Sequence, residues 1–214
     1  PYLLLLLTSL RMYPGHYMRM GTLPVYVVEL GGEKTAAGLV VTVFTAAALF
    51  GRPVFGHLAD RRSRRFVMLL GAGILLAAAI LYHAAQSVVF LLALRLLNGA
   101  GFSAQTTAAG AAVADVTPRS RLAEGIGYYG IPNTVGMAIG PALGLFLVDR
   151  AGYTWLFFGV LAFWVLLSAA SWQVRYEKSE PAQAMDPAAA PVQKGRADPS
   201  PAFVPKGRAG PPAA

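Results

Sequence analysis

Apolar residues fall into six long runs that short polar loops separate. The runs cover approximately residues 2–28, 35–58, 66–85, 87–114, 122–148 and 153–174. A helix needs about 20 predominantly apolar residues to cross the ~30 Å hydrocarbon core of a bilayer. Lipid cannot satisfy the hydrogen bonds of an open strand edge, so such runs form helices. The pattern predicts an all-α integral membrane protein, with a six-transmembrane-helix bundle over residues 1–176.

The chain changes character after residue 176. Residues 177–214 hold eight of the 15 prolines, together with many alanines and nearly balanced charges. Such a composition cannot form a packed core, because it offers too little apolar surface to bury. We expect a disordered, Pro/Ala-rich tail on the cytoplasmic side.

Basic residues mark the loops on one side of the predicted bundle. They follow the second, fourth and sixth runs: Arg61, Arg62, Arg64, Arg65, Arg119, Arg121, Arg175 and Lys178. The opposite loops carry only Lys34 and Arg150. Lys and Arg in short loops remain in the cytoplasm. Both termini are therefore predicted to be cytoplasmic, in a multi-pass protein of the cell (inner or plasma) membrane.

Composition argues against several functional classes. The chain is 56% hydrophobic and 13% charged, with a net charge of +8 and no cysteine. Its basic residues alternate with apolar runs, which indicates membrane topology rather than nucleic-acid binding. The three histidines are scattered, and no nucleophile–base set is visible. We expect neither an enzyme nor a metal site.

Polar residues within the runs are unevenly distributed. The third and sixth runs have almost none, which favours lipid-facing positions. The other four contain the following: Arg11, His16, Arg19, Thr42, Thr45, Arg52, Arg95, Asn98, Gln105, Thr106, Asn133 and Thr134. Polar groups at membrane depth usually face a bundle interior or a water-filled cavity. The first, second, fourth and fifth helices are therefore predicted to surround such a cavity.

The loop GHLADRRSRR, from Gly56 to Arg65, resembles the signature loop G-x-L-x-D-R-x-G-R-R of the major facilitator superfamily. The resemblance implies the N-terminal six-helix half of that fold. It also implies a conformational latch against the second half, formed here by Gly56, Asp60, Arg61, Arg64 and Arg65. Ser63 replaces the usual glycine, and a left-handed serine there would cost roughly 1 kcal/mol. A merely topogenic basic loop is the alternative interpretation.

Two further stretches resemble the same family. ADVTPRSR matches its Asp-x-x-Pro-x-x-Arg crossing at Asp115, Pro118 and Arg121. GMAIGPALGLFL places three glycines four residues apart, which lets helices approach closely in lipid. Together with a proline this stripe resembles the family's antiporter signature, typical of drug and metabolite exporters. Its residues are Gly136, Gly140, Pro141 and Gly144.

The fourth run carries a polar stripe in LLALRLLNGAGFSAQ. At 100° per residue, Arg95, Asn98 and Gln105 lie on one side of a helix. A guanidinium in lipid costs at least ~2.5 kcal/mol, so Arg95 should be paired or face water. One interpretation is a structural arginine bonded to backbone carbonyls. The family resemblance instead implies a part in substrate binding or proton coupling.

The first run departs from the family pattern because it contains Arg11, His16 and Arg19. One interpretation is an electropositive cavity for anionic substrates, with His16 as a group that titrates near neutral pH. The other is a degraded segment, because no acidic residue lies at mid-membrane depth to pair with the arginines. In the family, helices one and four line the central cavity. That implies a substrate cavity formed by Tyr13, His16, Tyr17, Arg95, Asn98 and Gln105.

These features predict a transporter of the major facilitator superfamily that exports a small molecule, here as a half-length or truncated chain. Its expected partners are the lipid bilayer, the small-molecule substrate, and a missing C-terminal half or a second copy. No cofactor is expected beyond the proton-motive force, and no nucleic acid. The alternative function is a non-transporting membrane remnant or assembly module that pairs with other subunits.

Overall fold

A computed structural model describes residues 2–173, and over this range the protein consists of helices without a β-strand. The α-helices are α1 (Tyr2–Glu29), α2 (Lys34–Arg61), α3 (Arg64–Leu81), α4 (Val88–Val116) and α5 (Leu122–Gln173). One-turn 3₁₀ helices lie at Tyr82–Ala84 and Arg119–Arg121. The all-helical prediction is confirmed. The predicted disordered tail, 177–214, lies outside the described residues.

Four helical stretches are long and apolar enough to cross a membrane: Lys34–Arg61, Arg64–Ala84, Val88–Val116 and Arg119–Gln173. Helix α1 is not among them. It carries Arg11, His16 and Arg19 within its length, and each lowers its hydropathy.

Helix α5 is interrupted at Gly152, where φ is 82° and ψ is 173°. Glycine adopts such a positive φ readily, because it has no Cβ to clash with the backbone. A Cβ added at Gly159 would lie 3.7 Å from Cδ2 of Leu147. In a continuous helix these two residues would be about 18 Å apart. The chain therefore reverses at Gly152, and residues 122–151 (the first arm) lie beside residues 153–173 (the second arm).

The turn between α1 and α2 is also built on glycine. Gly31 has a φ of 82°. Its N–H donates to the Val28 carbonyl at 3.0 Å, and the Gly32 N–H donates to the Val27 carbonyl at 2.9 Å. This pattern is the Schellman motif, which satisfies the last carbonyls of a helix. It ends α1 and lets α2 begin at Lys34.

Ser63 does not adopt the left-handed conformation considered for the loop between α2 and α3. Its φ is −165° and its ψ is 150°, which is extended backbone. The Ser63 hydroxyl accepts a hydrogen bond from the Phe66 N–H at 3.1 Å. The expected cost of replacing glycine is therefore wrong here, because serine acts as the N-cap of α3.

Helix α1 lies directly against the glycine stripe of the first arm. A Cβ added at Gly140 would lie 2.5 Å from Cβ of Tyr17. One added at Gly144 would lie 2.5 Å from the Met18 carbonyl oxygen. Pro141 in turn approaches Gly21, where an added Cβ would lie 2.8 Å from its own. Only residues without a side chain permit this backbone contact.

The second arm holds α1 from another side. A Cβ added at Gly15 would lie 3.1 Å from Cβ of Phe163. Trp164, the next residue, is completely buried. Helix α1 therefore packs against both arms of α5.

The distribution of buried residues differs from the expectation that the third and sixth segments lie on the outside. Only 17% of the most apolar stretch of α2 is buried, against 44% for the stretch that contains α3. Helix α3 packs closely on α4, where a Cβ added at Gly71 would lie 2.6 Å from the backbone nitrogen of Gln105. Small residues on α3 bring the two helices together, so α3 contributes to the core.

The α1–α5 contact predicts opposite effects for two glycine substitutions on the same arm. Gly140→Ala inserts a methyl group into backbone contact and should lower the free energy of unfolding by about 1–3 kcal/mol. Gly130 has no atom within 4 Å of an added Cβ. Gly130→Ala should therefore raise it by ~0.5–1 kcal/mol through lower entropy of the unfolded chain. Equal effects of the two variants in detergent unfolding titrations would contradict the packing described here.

Candidate functional site

The polar stripe of α4 is buried rather than exposed to a cavity. Arg95 and Asn98 are 0% exposed, and Gln105 is 1% exposed. Close packing of α4 explains this burial. A Cβ added at Gly99 would lie 2.6 Å from the Phe44 carbonyl of α2, and one at Gly101 2.8 Å from the Ile74 side chain of α3. Glycines thus let α4 lie tightly between α2 and α3.

Arg95 reaches towards α1. Its Nη2 donates to the Arg19 carbonyl oxygen at 3.4 Å. The guanidinium carbon lies 5.5 Å from the centre of the Phe44 ring. Nε and Nη1 of Arg95 have no hydrogen-bond partner among residues 2–173. The arginine is therefore held by one backbone carbonyl and one aromatic face.

Arg19 lies in the same cluster and is held by aromatic rings alone. Its guanidinium carbon is 5.0 Å from the centre of the Tyr82 ring and 5.3 Å from that of the Trp164 ring. All three guanidinium nitrogens lack a hydrogen-bond partner within the described helices. Cation–π contacts stabilise a desolvated guanidinium by roughly 2 kcal/mol. Such contacts offset only part of the cost of burying the charge.

His16 lies within an aromatic group. Its ring stacks on Phe102, with centroids 4.4 Å apart and planes at 28°, and it lies 4.9 Å from the Phe44 ring. Its Nδ1 has no hydrogen-bond partner in the described part of the chain. Because Phe44 also lies beneath Arg95, it connects His16 with the arginine on α4.

Tyr13 and Tyr17 lie at the edge of this group and are partly buried. Their rings are 6.4 Å apart, and Tyr13 meets Phe102 edge-on at 6.2 Å. The Tyr17 hydroxyl donates to Oδ1 of Asn133 on the first arm at 2.9 Å. Helix α1 therefore contributes Tyr13, His16, Tyr17 and Arg19 to one cluster with Arg95.

The two α4 amides occupy different surroundings. Asn98 lies one turn from Arg95, and neither atom of its amide group has a hydrogen-bond partner among residues 2–173. Gln105 is about 15 Å from Arg95 along the helix. Its Nε2 donates to the Ser171 hydroxyl at 3.4 Å. Gln105 is thus separate from the arginine cluster, whereas Asn98 adjoins it.

No carboxylate of residues 2–173 approaches the cluster. All six acidic side chains of residues 2–173 are exposed, and each lies at or close to a helix end: Glu29, Glu33, Asp60, Asp115, Glu124 and Asp149. The described residues also contain no group of three side chains suited to hold a metal ion. A cavity of about 240 Å³ lies elsewhere, between Tyr2, Thr117, Arg121 and Tyr128. The cluster is therefore positively charged and closed.

The residues predicted to form a latch divide into two groups. Gly56, Asp60 and Arg61 lie at the end of α2, where Asp60 and Arg61 are exposed and form no ion pair with residues 2–173. Arg64 forms an ion pair with Asp115 of α4, with Nε and Oδ2 2.6 Å apart. Arg65 Nη2 donates to the Trp172 carbonyl at 3.0 Å. The second group thus fastens α3 to α4 and to the second arm.

Several contact residues were not identified from the sequence. Tyr82 and Trp164 form the wall around Arg19, Phe44 and Phe102 surround His16, and Ser171 meets Gln105. Asp115 was identified only as part of a motif, not as the partner of Arg64. Each of these contacts joins residues far apart in the chain. Periodicity within one helix does not indicate them.

Sequence comparison relates the chain to a known protein family and to individual relatives. Residues 5–206 match the family model described as Major Facilitator Superfamily. The multidrug resistance protein MdtG of Yersinia enterocolitica is 34% identical over 149 residues, which cover 65% of this chain and 34% of MdtG. The quinolone resistance protein NorA of Staphylococcus aureus is 25% identical over 145 residues, covering 66% of this chain and 37% of NorA. The chain thus spans about a third of the length of these curated relatives.

A solved structure shows the same fold. The crystal structure of the human organic anion transporter MFSD10 (TETRAN) matches with a TM-score of 0.64 at 18% identity. The match covers 79% of this chain and 46% of that one. At this identity the likeness extends to the fold alone.

The Arg64–Asp115 pair should appear as a coupling in unfolding measurements. The side chains are 19% and 30% exposed, so solvent screens the pair only in part. A double-mutant cycle with Arg64→Gln and Asp115→Asn should give a coupling free energy of ~1 kcal/mol. The matched cycle with Arg62→Gln, two positions earlier in the chain, should give a value within ~0.5 kcal/mol of zero. Equal coupling in both cycles would mean that the 2.6 Å contact does not hold α3 to α4.

Proposed function

The chain belongs to the major facilitator superfamily, and we propose that it takes part in proton-coupled export of a small molecule, a drug or a metabolite. The family consists of transporters, not enzymes. One observation supports a transport site in this chain above the others. Arg95, Asn98, His16 and Arg19 are buried together between α1 and α4, within a helical bundle whose other buried residues are mostly apolar. Polar groups at such depth are expensive and mark substrate or ion pathways.

The export direction rests on two independent observations. MdtG and NorA are named for multidrug and quinolone resistance. The glycine stripe of the first arm resembles an antiporter signature; it consists of Gly136, Gly140, Pro141 and Gly144. It packs on α1 and contacts Tyr13 and Tyr17 directly. A change in the α1–α5 contact would therefore move the residues proposed to line the cavity.

We further propose that a second six-helix unit, or a second copy of this chain, completes the transporter. Alternating access requires two units that move against each other around a central site. Asp60 and Arg61 are exposed and unpaired within residues 2–173. They are available to form the latch, with Gly56, against the second unit. Arg64 and Arg65 anchor the same loop to its own half.

The proposed topology has six membrane spans, with both termini in the cytoplasm of the cell membrane. The support is the length of α5. Its 52 residues would extend about 78 Å as one helix, well over twice the hydrocarbon thickness. The reversal at Gly152 divides it into two arms, each long enough for one span.

Cysteine labelling tests this topology in a chain that has no cysteine of its own. Ala151→Cys should react with a membrane-impermeant maleimide added to intact cells. Ser120→Cys and Ser179→Cys should react only after permeabilisation, because both positions lie in cytoplasmic segments. Protection of Ala151→Cys in intact cells would contradict the proposed orientation.

Flux measurements test the transport function. Proteoliposomes that contain the chain and an internal pH dye should show proton movement when a fluorescent quinolone is added. Asp60→Asn should slow this flux about fivefold, if the carboxylate biases the conformational equilibrium by ~1 kcal/mol. The amount of folded protein should not change, because Asp60 is exposed.

Glu124→Gln provides the matched control, since it removes one exposed carboxylate from the same predicted cytoplasmic side of the bundle. It should leave the flux unchanged. Flux in Asp60→Asn equal to that of the control would mean that the loop is topogenic only. A stable monomer with no flux of any cargo would instead favour the non-transporting assembly module.

A further inference from the structure

The Arg19–Arg95 cluster contains more buried hydrogen-bond donors than buried acceptors. Five guanidinium nitrogens and the Trp164 indole nitrogen have no partner among residues 2–173. The unpaired side-chain atoms that can accept a hydrogen bond are fewer. They are Asn98 Oδ1, the Tyr82 hydroxyl and His16 Nδ1 in the cluster, with Ser103 Oγ and Gln105 Oε1 further along α4. Buried donors are normally paired with an acceptor from the protein, from water or from a ligand, so this surplus favours an acceptor-rich partner.

The chain does not supply that partner from its described residues. Its six carboxylates in 2–173 are exposed near the helix ends. The backbone carbonyl of Arg19, at 3.4 Å from Arg95, is the hydrogen-bond acceptor recorded for either guanidinium. Two like charges in one desolvated cluster also repel each other. An anion would remove both problems at once, whereas a cation would aggravate both.

The walls of the cluster are aromatic. Phe44 and Phe102 stack around His16 on one side, with centroids 5.4 Å apart. Tyr82 and Trp164 face Arg19 on the other. In the closed cluster these rings contact His16, Arg19 and Arg95. Once those side chains move, the rings suit an aromatic ligand, which binds through offset or edge-on contacts. Guanidinium groups beside such rings suit a carboxylate, which accepts two parallel hydrogen bonds from one arginine.

We propose that Arg19 and Arg95 bind the carboxylate of a small aromatic anion, whose ring lies against Phe44 and Phe102. As an assignment of cargo class, this inference rests on the proposed transport function. As an assignment of a binding site, it stands on the geometry of the cluster. In this structure the cluster is closed, with both arginines at most 1% exposed. The anion enters as the two long, mutually repelling side chains move apart.

Ligand-dependent thermal unfolding of the purified chain in lipid nanodiscs tests the site. The probes are benzoate, its neutral isostere benzamide, and the cation benzylammonium. Benzoate should raise the midpoint of unfolding in a saturable manner, and the other two should not. Arg19→Gln and Arg95→Gln should each weaken benzoate binding about tenfold or more, the loss expected for one charged hydrogen-bonded pair.

Arg150→Gln is the matched control, because Arg150 is exposed and the substitution removes the same charge. It should bind benzoate like the parent chain. If a glutamine variant fails to fold, Arg95→Lys can replace it, because lysine retains the charge but lacks the paired N–H donors of the guanidinium. It should bind benzoate more weakly than the parent chain. Trp164→Phe should remove any fluorescence change caused by benzoate, since Trp164 faces Arg19.

Three results would overturn the assignment. The first is equal stabilisation by benzoate and benzamide. The second is benzoate binding that neither arginine variant weakens more than Arg150→Gln does. The third is a chloride effect as large as that of benzoate, which would indicate a site for small inorganic ions.

The same data separate this inference from the transport proposal. Arginine-dependent benzoate binding by a chain that shows no flux would support the anion site and contradict transport. Quinolone flux without arginine-dependent benzoate binding would support transport and overturn the anion site.

Discussion

The arrangement of this protein depends on backbone contact between α1 and the glycine stripe of α5. Helix α1 contains two arginines and a histidine, and it is not apolar enough to qualify as a membrane span by itself. Gly140 and Gly144 let Tyr17 and Met18 approach without an intervening side chain. Dispersion and close packing, rather than hydrophobicity, hold helices together in lipid. The contact therefore keeps a polar helix inside the bundle and places Arg19 beside Arg95.

Burial of these two guanidiniums is the principal electrostatic cost of the fold. Aromatic faces of Phe44, Tyr82 and Trp164 offset part of it, and one backbone carbonyl offsets a little more. A soluble protein would pair such charges with carboxylates, but the six carboxylates of residues 2–173 lie at or close to helix ends. A cost of this kind is retained where function requires it. The proposed anion site and the proposed transport function therefore both rest on this one arrangement.

Local features could be predicted from the sequence, because lipid allows few alternatives. Helices α1 to α4 cover the first four apolar runs, whereas the fifth and sixth runs form one element, α5, interrupted at Gly152. The signature loop lies between α2 and α3. Contacts between distant segments could not be predicted. The wall that Tyr82 and Trp164 form around Arg19, the burial of α3, and the capping role of Ser63 depend on the packing of whole helices. The pattern within one helix predicted that Arg95 avoids lipid, but not that Arg19 would share its cluster.

Disulfide cross-linking tests most directly the claim that α1, which contacts the glycine stripe of the first arm, also packs against the second arm of α5. In the cysteine-free chain, Gly15→Cys and Phe163→Cys would place two Cβ atoms about 3.1 Å apart. This distance lies just below the usual ~3.5–4.5 Å of a disulfide and requires only a small shift. Packing of α1 on the second arm predicts rapid cross-linking of this pair in membranes, and none for Gly15→Cys with the exposed Val165→Cys. Cross-linking of neither pair, or of both equally, would contradict the packing of α1 on α5 and the position of the arginines that depends on it.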